Sequence, residues 1–323
     1  MKLSTKAIII ITGLLALVLL IIAPIILTLK LNLIRLDNEA SSQIGDTIGG
    51  TTAPVIGLIS ILLLVWTLRE QTIFNKEQRK LAFDEQFKST FFTLLNTQRD
   101  ISAKIRPVNR GQTFFTSSYL ILDKIFNVLD SKIFITEDDY FNAQTELKNI
   151  DMCIEEGQYS ESEVNEKYNE NDEICRFYRF CCKYHITQEI FDKYNILRDD
   201  MPQKIYMAFD IFFKQNYRVG GYFRNLYYIL KYIQRTENED IETYHKGENE
   251  EHINEVKEKY NDYAQFIQAQ MTFEELLLLF YDSFKFPKLQ KLIIKYNLLD
   301  NLYVSMLIKP EHDCRPEIHL KTD

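Results

Sequence analysis

The stretch GGYFRNLYYILKYI, residues 220–233, holds nine aromatic or aliphatic side chains in fourteen positions, with Arg224 set among them. Wound as a helix, it puts Arg224, Tyr228, Lys231 and Arg235 on one stripe and Phe223, Leu226, Tyr227, Leu230 and Ile233 on the far side, because residues three and four apart share a face. Tyr222, Ile229 and Tyr232 fill the shoulder between them. A helix apolar over so much of its circumference is expected near the centre of a helical domain, entered through the permissive pair Gly220 and Gly221. An unpaired guanidinium is too costly to keep there. Arg224 is therefore expected half buried, its stem packed on Tyr228 and its charge paired with a carboxylate of a neighbouring helix. The competing reading makes Arg224 a ligand-binding residue.

The rest of the chain agrees with an all-α fold. Of 323 residues, 46% are hydrophobic, with 22 Phe and 19 Tyr, which is enough to bury a core. Only 10 Gly and 7 Pro interrupt it, too few for a sheet of many short strands. Residues 69–105 contain neither Gly nor Pro, and Phe83, Phe87, Phe91, Leu94 or Leu95 and Ile101 recur at helical spacing. After a break at Pro107 to Gly111, helices are predicted over 114–129, 137–153, 173–194, 204–213, 222–234, 250–269, 273–284 and 288–296. Thr136 and Thr272 are read as N-caps, with Asp139 and Glu275 at the capping-box positions. KIFIT, residues 132–136, is the best strand candidate and is too short to found a sheet.

Two runs are long enough to cross about 30 Å of hydrocarbon at about 1.5 Å per residue: residues 7–29, free of charge, and residues 47–68, also free of charge. They are read as a transmembrane hairpin with helices at about 7–29 and 48–68 and an external loop at 30–47, together making residues 1–70. Residues 71–104 are read as a stalk and first cytoplasmic helix, and 105–323 as the cytoplasmic helical domain. Lys2 and Lys6 before the first run, and Arg69, Lys76, Arg79 and Lys80 after the second, place both termini in the cytoplasm by the positive-inside rule. In that reducing compartment Cys153, Cys175, Cys181, Cys182 and Cys314 are expected as thiols.

Charge is divided. Residues 1–110 hold 13 Lys and Arg against 8 Asp and Glu, net +5, and the remainder holds 25 against 38, net −13. The membrane-proximal part suits anionic headgroups and the distal part is repelled by them. The same sign argues against direct nucleic-acid binding by the large domain. The acidic segments at 155–173 and 237–262 read as solvated loops or exposed helix faces.

Chemistry is sparse. No GxxxxGK[ST], GxGxxG, HExxH or GxSxG occurs. In CRFYRFCCKYH, residues 175–185, a continuous helix would bring Cys175, Cys182 and His185 to one face as a zinc set, but no second CxxC or HxxxH accompanies them, and free cysteines are ordinary buried residues. In the same stretch Arg179 and His185 are separated by five residues, which fits the loose R-x4–6-H pattern of HEPN ribonucleases; the polar residue that commonly follows the Arg is replaced by Phe180. The competing reading is a surface Arg and a capping His. No cofactor is implied.

With FKSTFFTLLNTQRDI upstream and AQMTFEELLLLFYDSF and LIIKYNLLDNL downstream, the stretch YFRNLYYILKYI resembles the phage abortive infection proteins related to AbiC. Their Gly-x-Tyr-Phe-Arg-x-Leu-Tyr signature is matched by Gly220, Tyr222, Phe223, Arg224, Leu226 and Tyr227. The chain departs from the family pattern at Gln98 and Gly221, where histidines are frequent. The resemblance implies two N-terminal transmembrane helices, a helical cytoplasmic domain and antiphage defence in a bacterial inner membrane. The expectation is a non-enzymatic effector: the domain senses a phage protein or operon partner, and the hairpin, as a homo-oligomer in the lipid bilayer, disrupts the membrane. The alternatives are a membrane-tethered ribonuclease using Arg179 and His185, and a scaffold that recruits another effector.

Overall fold

The structure, a computed structural model, describes residues 13, 18, 38–105, 113–131, 136, 138, 140–145, 148, 173–197 and 199–322. The first apolar run, apart from Gly13 and Val18, lies outside the described residues, as do residues 132–135 of the strand candidate, Cys153 and the acidic segment up to residue 172. The fold is all-α. Among the described residues the only β contact is an isolated bridge between Tyr303 and Lys321.

Helix α1, Asn38–Lys104, is continuous through Pro54. It contains the whole second apolar run and starts earlier, so residues 38–47, expected in an external loop, are helical. From Ile56 onward it is the one helix among the described residues that is long and apolar enough to cross a membrane, and none of its apolar window is buried. The chain divides into two units, Met1–Glu85 and Gln86–Asp323, with the boundary inside α1.

The second unit begins where burial begins. Phe87, Phe91 and Leu95 are buried at helical spacing, and Phe87 packs edge-on against Tyr260 and Tyr263 and stacks with Tyr232. Helix α2, Phe114–Leu129, is capped by Thr113, whose hydroxyl accepts from the Thr116 amide. Then follow α3, Glu173–Lys183; α4, Gln188–Ile196; α5, Met201–Gln215; α6, Tyr217–Tyr244; α7, Glu250–Gln268; α8, Phe273–Lys285; and α9, Pro287–Lys295. The helix predicted over 173–194 is broken in two, because His185 takes the left-handed conformation at φ 54° and stops α3.

The centre of the unit is α8. All residues from Glu275 to Phe284 are buried, and the helix packs on α2, α5 and α9. Its start is the capping box read from the sequence: the Thr272 hydroxyl accepts from the Glu275 amide, and the Glu275 carboxylate accepts from the Thr272 amide at 2.8 Å. Helix α6, expected to be central, is instead two-faced. It packs on α5, α7 and α9 while Arg224, Tyr228, Lys231 and Arg235 are all exposed, so the polar stripe is its solvent face. Gly220 and Gly221 lie inside its first turns, not before them.

The acidic segment at 237–262 is helical except at residues 245–249, forming the end of α6 and most of α7, and part of it is core. Glu237 and Asp240 are buried. Glu237 accepts from the Tyr296 hydroxyl at 2.8 Å and from Lys295 at 2.7 Å, and Asp240 accepts from the Tyr260 hydroxyl at 3.0 Å. The solvated-loop reading fails at these two positions because tyrosines on α7 and just beyond α9 supply the donors that a buried carboxylate needs.

Candidate functional site

Arg224 overturns its expected pairing. It is exposed and forms no hydrogen bond or ion pair with any described residue. The one carboxylate that lines the same cavity as Arg224 is Asp282, which forms no ion pair with it among the described residues. An arginine without a carboxylate partner among the described residues can bind an outside anion.

What Arg224 borders is a cavity of about 180 Å³ walled by Phe213, Phe223, Tyr227, Phe286 and Leu289, with the Gly220 backbone, Asp282 and Lys288 completing the lining. Gly220 is required by this wall: a Cβ there would lie 2.5 Å from Phe213 Cζ and 2.6 Å from Cε2, closer than carbon atoms approach. The Phe213 ring is held in turn by the Phe209 and Phe286 rings. Lys288, in the first turn of α9, is exposed, as is Arg224. Asp282 is 1% exposed, and its Oδ1 has no hydrogen-bond partner. Burial raises the Asp282 carboxyl well above the usual carboxylate range, the Lys285 charge opposing it only in part. A neutral carboxyl facing a cavity offers an O–H donor and a C=O acceptor side by side.

The signature helix borders a second cavity, also about 180 Å³, lined by Tyr222 and Leu226 together with Gln98, Ser102, Glu275 and others. Here the Phe87–Ile101 stretch of α1 meets the start of α6. Gln98 is buried; its Oε1 accepts from Asn225 at 2.6 Å and its Nε2 donates to the Tyr222 carbonyl at 3.4 Å. The glutamine thus satisfies both ends of its amide and serves as a structural tie between α1 and α6. Burial, with the Glu275 carboxylate near it, pushes the Tyr222 phenol up. All six signature residues therefore line a cavity: Gly220, Phe223, Arg224 and Tyr227 the first, Tyr222 and Leu226 the second.

The other candidates are placed as follows. Arg179 is half buried in α3, and His185 is exposed in the left-handed turn beyond it. The helical face drawn through Cys175, Cys182 and His185 ends at Lys183, so His185 does not continue it. The Cys175 side chain is outside the described residues. Cys182 donates to the Tyr140 carbonyl at 3.3 Å, and burial pushes its thiol up to about 11 and that of Cys181 up to about 12. Both are protonated at neutral pH and behave as core residues. Among the described residues no three His, Cys, Asp or Glu side chains come together to hold a metal ion.

Asp282 and Lys288, some sixty residues beyond Arg224, were not singled out from the sequence. The available signal was a lone carboxylate inside the apolar run LLLLFYDSF, since a buried carboxyl without a partner demands an explanation.

These features define an all-helical domain with a ring-lined, cation-rimmed cavity beside α6. Residues 214–307 match the family described as "Putative phage abortive infection protein". The matched stretch holds α6 to α9 entire and every residue of the first pocket except Phe213. It is under a third of the chain and supports a role in abortive infection. No curated protein and no solved structure matches the chain.

Proposed function

We propose that the protein is an abortive-infection effector of the bacterial inner membrane whose helical domain recognises an infection signal in the Arg224 pocket and whose apolar segments then disrupt the bilayer. The observation that carries this reading is the convergence of Gly220, Phe223, Arg224 and Tyr227 on one cavity, with no partner for Arg224 among the described residues. The absence of recognised catalytic motifs and the unburied apolar window from Ile56 favour action at the membrane. Homo-oligomers are part of the proposal, because two helices cannot enclose a water-filled path. In this reading the C-terminal domain is cytoplasmic, and a cysteine placed at Gln43 is labelled from outside the cell.

The test follows membrane potential, RNA integrity and survival after infection, in cells expressing wild-type protein or Arg224→Ala. The expected result is depolarisation with intact RNA for the wild type. Arg224→Ala should accumulate normally, melt within about 0.5 kcal/mol of wild type as an exposed substitution does, and give neither depolarisation nor protection. RNA fragmentation with a polarised membrane would instead assign the protein to the ribonuclease class. An Arg224→Ala variant that protects normally removes the pocket from the mechanism.

A further inference from the structure

The first pocket selects its ligand by size, charge and hydrogen-bonding pattern. An apolar cavity of about 150 Å³ admits one benzene ring; at about 180 Å³ with an open mouth, this one takes a single planar ring system and excludes a lipid chain. Its walls are aromatic faces and edges from Phe213, Phe223, Tyr227 and Phe286, surfaces on which a flat ring stacks. The mouth carries two exposed cations, Arg224 and Lys288. Residues 111–323, these two cations included, carry net −13, so a long polyanion is repelled by the surroundings while one small anion is held by the rim, in bidentate fashion at the guanidinium. On the buried side stands the Asp282 carboxyl with its unmet Oδ1. Burial pushes this carboxyl up, and in its protonated form it presents a donor beside an acceptor, for which the matching edge is a ring nitrogen beside an amino group. Adenine and cytosine have that edge. The corresponding edge of guanine presents two adjacent N–H donors and suits an ionised carboxylate instead.

The geometry points to a mononucleotide site, in which the base of an adenine or cytosine nucleotide enters the ring-lined pocket with its amino edge on Asp282 and its 5′-phosphate on Arg224 and Lys288. This rests on the reading of the same pocket as the place where infection is sensed, and it names the chemistry of the signal.

The test is calorimetric titration of the full chain in detergent micelles with adenosine 5′-monophosphate, guanosine 5′-monophosphate, inorganic phosphate and benzoate. The adenine nucleotide is expected to bind one per chain, at least about tenfold more tightly than the guanine nucleotide, with no saturable heat from phosphate or benzoate. Arg224→Ala and Lys288→Ala should each weaken binding by about tenfold or more at unchanged melting temperature. Asp282→Asn, whose amide keeps a donor beside an acceptor, should bind within a few-fold of wild type, whereas Asp282→Leu should fold and not bind. No binding of the adenine nucleotide up to about 1 mM overturns the inference, as does equal affinity for the guanine nucleotide or for benzoate, or binding indifferent to both Arg224→Ala and Asp282→Leu. The two layers separate cleanly: if the adenine nucleotide fails to bind and Arg224→Ala still abolishes protection, the nucleotide is wrong and sensing in the pocket stands. If Arg224→Ala abolishes binding and leaves protection intact, the nucleotide site stands and its link to infection falls.

Discussion

Two adjacent glycines in α6 do different work, and the difference is measurable. Gly221 is exposed with nothing within 4 Å of a built Cβ, so Gly221→Ala removes backbone freedom from the unfolded chain at no steric cost and should stabilise the protein by about 0.5–1 kcal/mol. Gly220→Ala gains the same helix propensity but drives a methyl into the Phe213 ring, an overpacking that costs about 1–3 kcal/mol and wins. Thermal melts of the two variants should move in opposite directions, and Gly220→Ala should also shrink the pocket and lose protection. Two buried titratable groups give opposed pH dependences. His312 is pushed down to about 4, chiefly by burial and then by Lys309; its Nδ1 accepts from the Tyr281 hydroxyl at 2.7 Å, while that hydroxyl accepts from the Ile308 amide at 3.0 Å. Because its folded pKa lies below the unfolded 6.5, the unfolded chain binds the extra proton between about pH 6.5 and 4, and stability falls by about 3 kcal/mol as pH drops through that window. Asp282, raised in the fold, binds its proton in the native state first, so its contribution weakens as pH rises above about 4. Relative to wild type, His312→Gln should flatten the acid loss and Asp282→Leu should steepen it. Denaturant unfolding at several pH values reads both slopes, and parallel slopes in all three proteins would refute the assignment.

At the scale of elements, the sequence was most legible where local chemistry decides and least where a distant partner does. Thr272 with Glu275 marked the start of α8, and the spacing of Phe87, Phe91 and Leu95 marked the buried end of α1; both are effects within a few residues, and both are found. The span 173–194 reads as one helix because nothing in its side-chain pattern announces a left-handed residue at His185, a non-Gly position where that conformation is uncommon. The acidic end of α6 was taken as solvated because the hydroxyls that receive Glu237 and Asp240 lie at Tyr296 and Tyr260, far along the chain. Arg224 was paired for the same reason: its stripe looked internal until α8, not α6, was found to fill the centre. The Glu237 arrangement fastens the C-terminal part of α6 to the end of α9. Glu237→Ala leaves the Tyr296 hydroxyl and Lys295 unmatched, and with Lys295 still 31% exposed on its side chain the loss should be about 3 kcal/mol, at the lower end for breaking a buried pair. Glu237→Gln, which keeps an acceptor for Tyr296, should lose about half of that. Equal losses for Ala and Gln would show that the ion pair alone carries the contact.

For the whole molecule, the division of labour between the two units is the decisive question. Every buried apolar side chain among the described residues lies at Phe87 or beyond, inside the unit Gln86–Asp323, while the exposed apolar residues Leu58, Ile61, Leu62, Leu64, Val65 and Leu68 belong to the other unit. A side chain left about 60% exposed, as Leu58, Ile61 and Leu62 are, contributes nothing to a soluble core, and a row of them on one helix is stabilised only by lipid or by another apolar helix. Removing residues 1–85 should therefore leave the core intact. The truncated protein should be soluble without detergent, unfold cooperatively, and bind the adenine nucleotide with the affinity of the full chain, because the pocket residues run from Phe213 to Leu289. It should neither depolarise the membrane nor protect against phage, and it should protect infected cells no better than Arg224→Ala. Fusing an unrelated transmembrane hairpin to it distinguishes anchoring from action: restored protection means that the native segment only holds the domain at the bilayer, whereas continued failure means that the native apolar helices themselves carry the lethal step. The second outcome is expected on the proposed reading, in which the helical domain senses infection and the unburied apolar stretch from Ile56 acts on the bilayer. Protection by the truncated protein alone would end the membrane mechanism and return the search to chemistry within the helical unit.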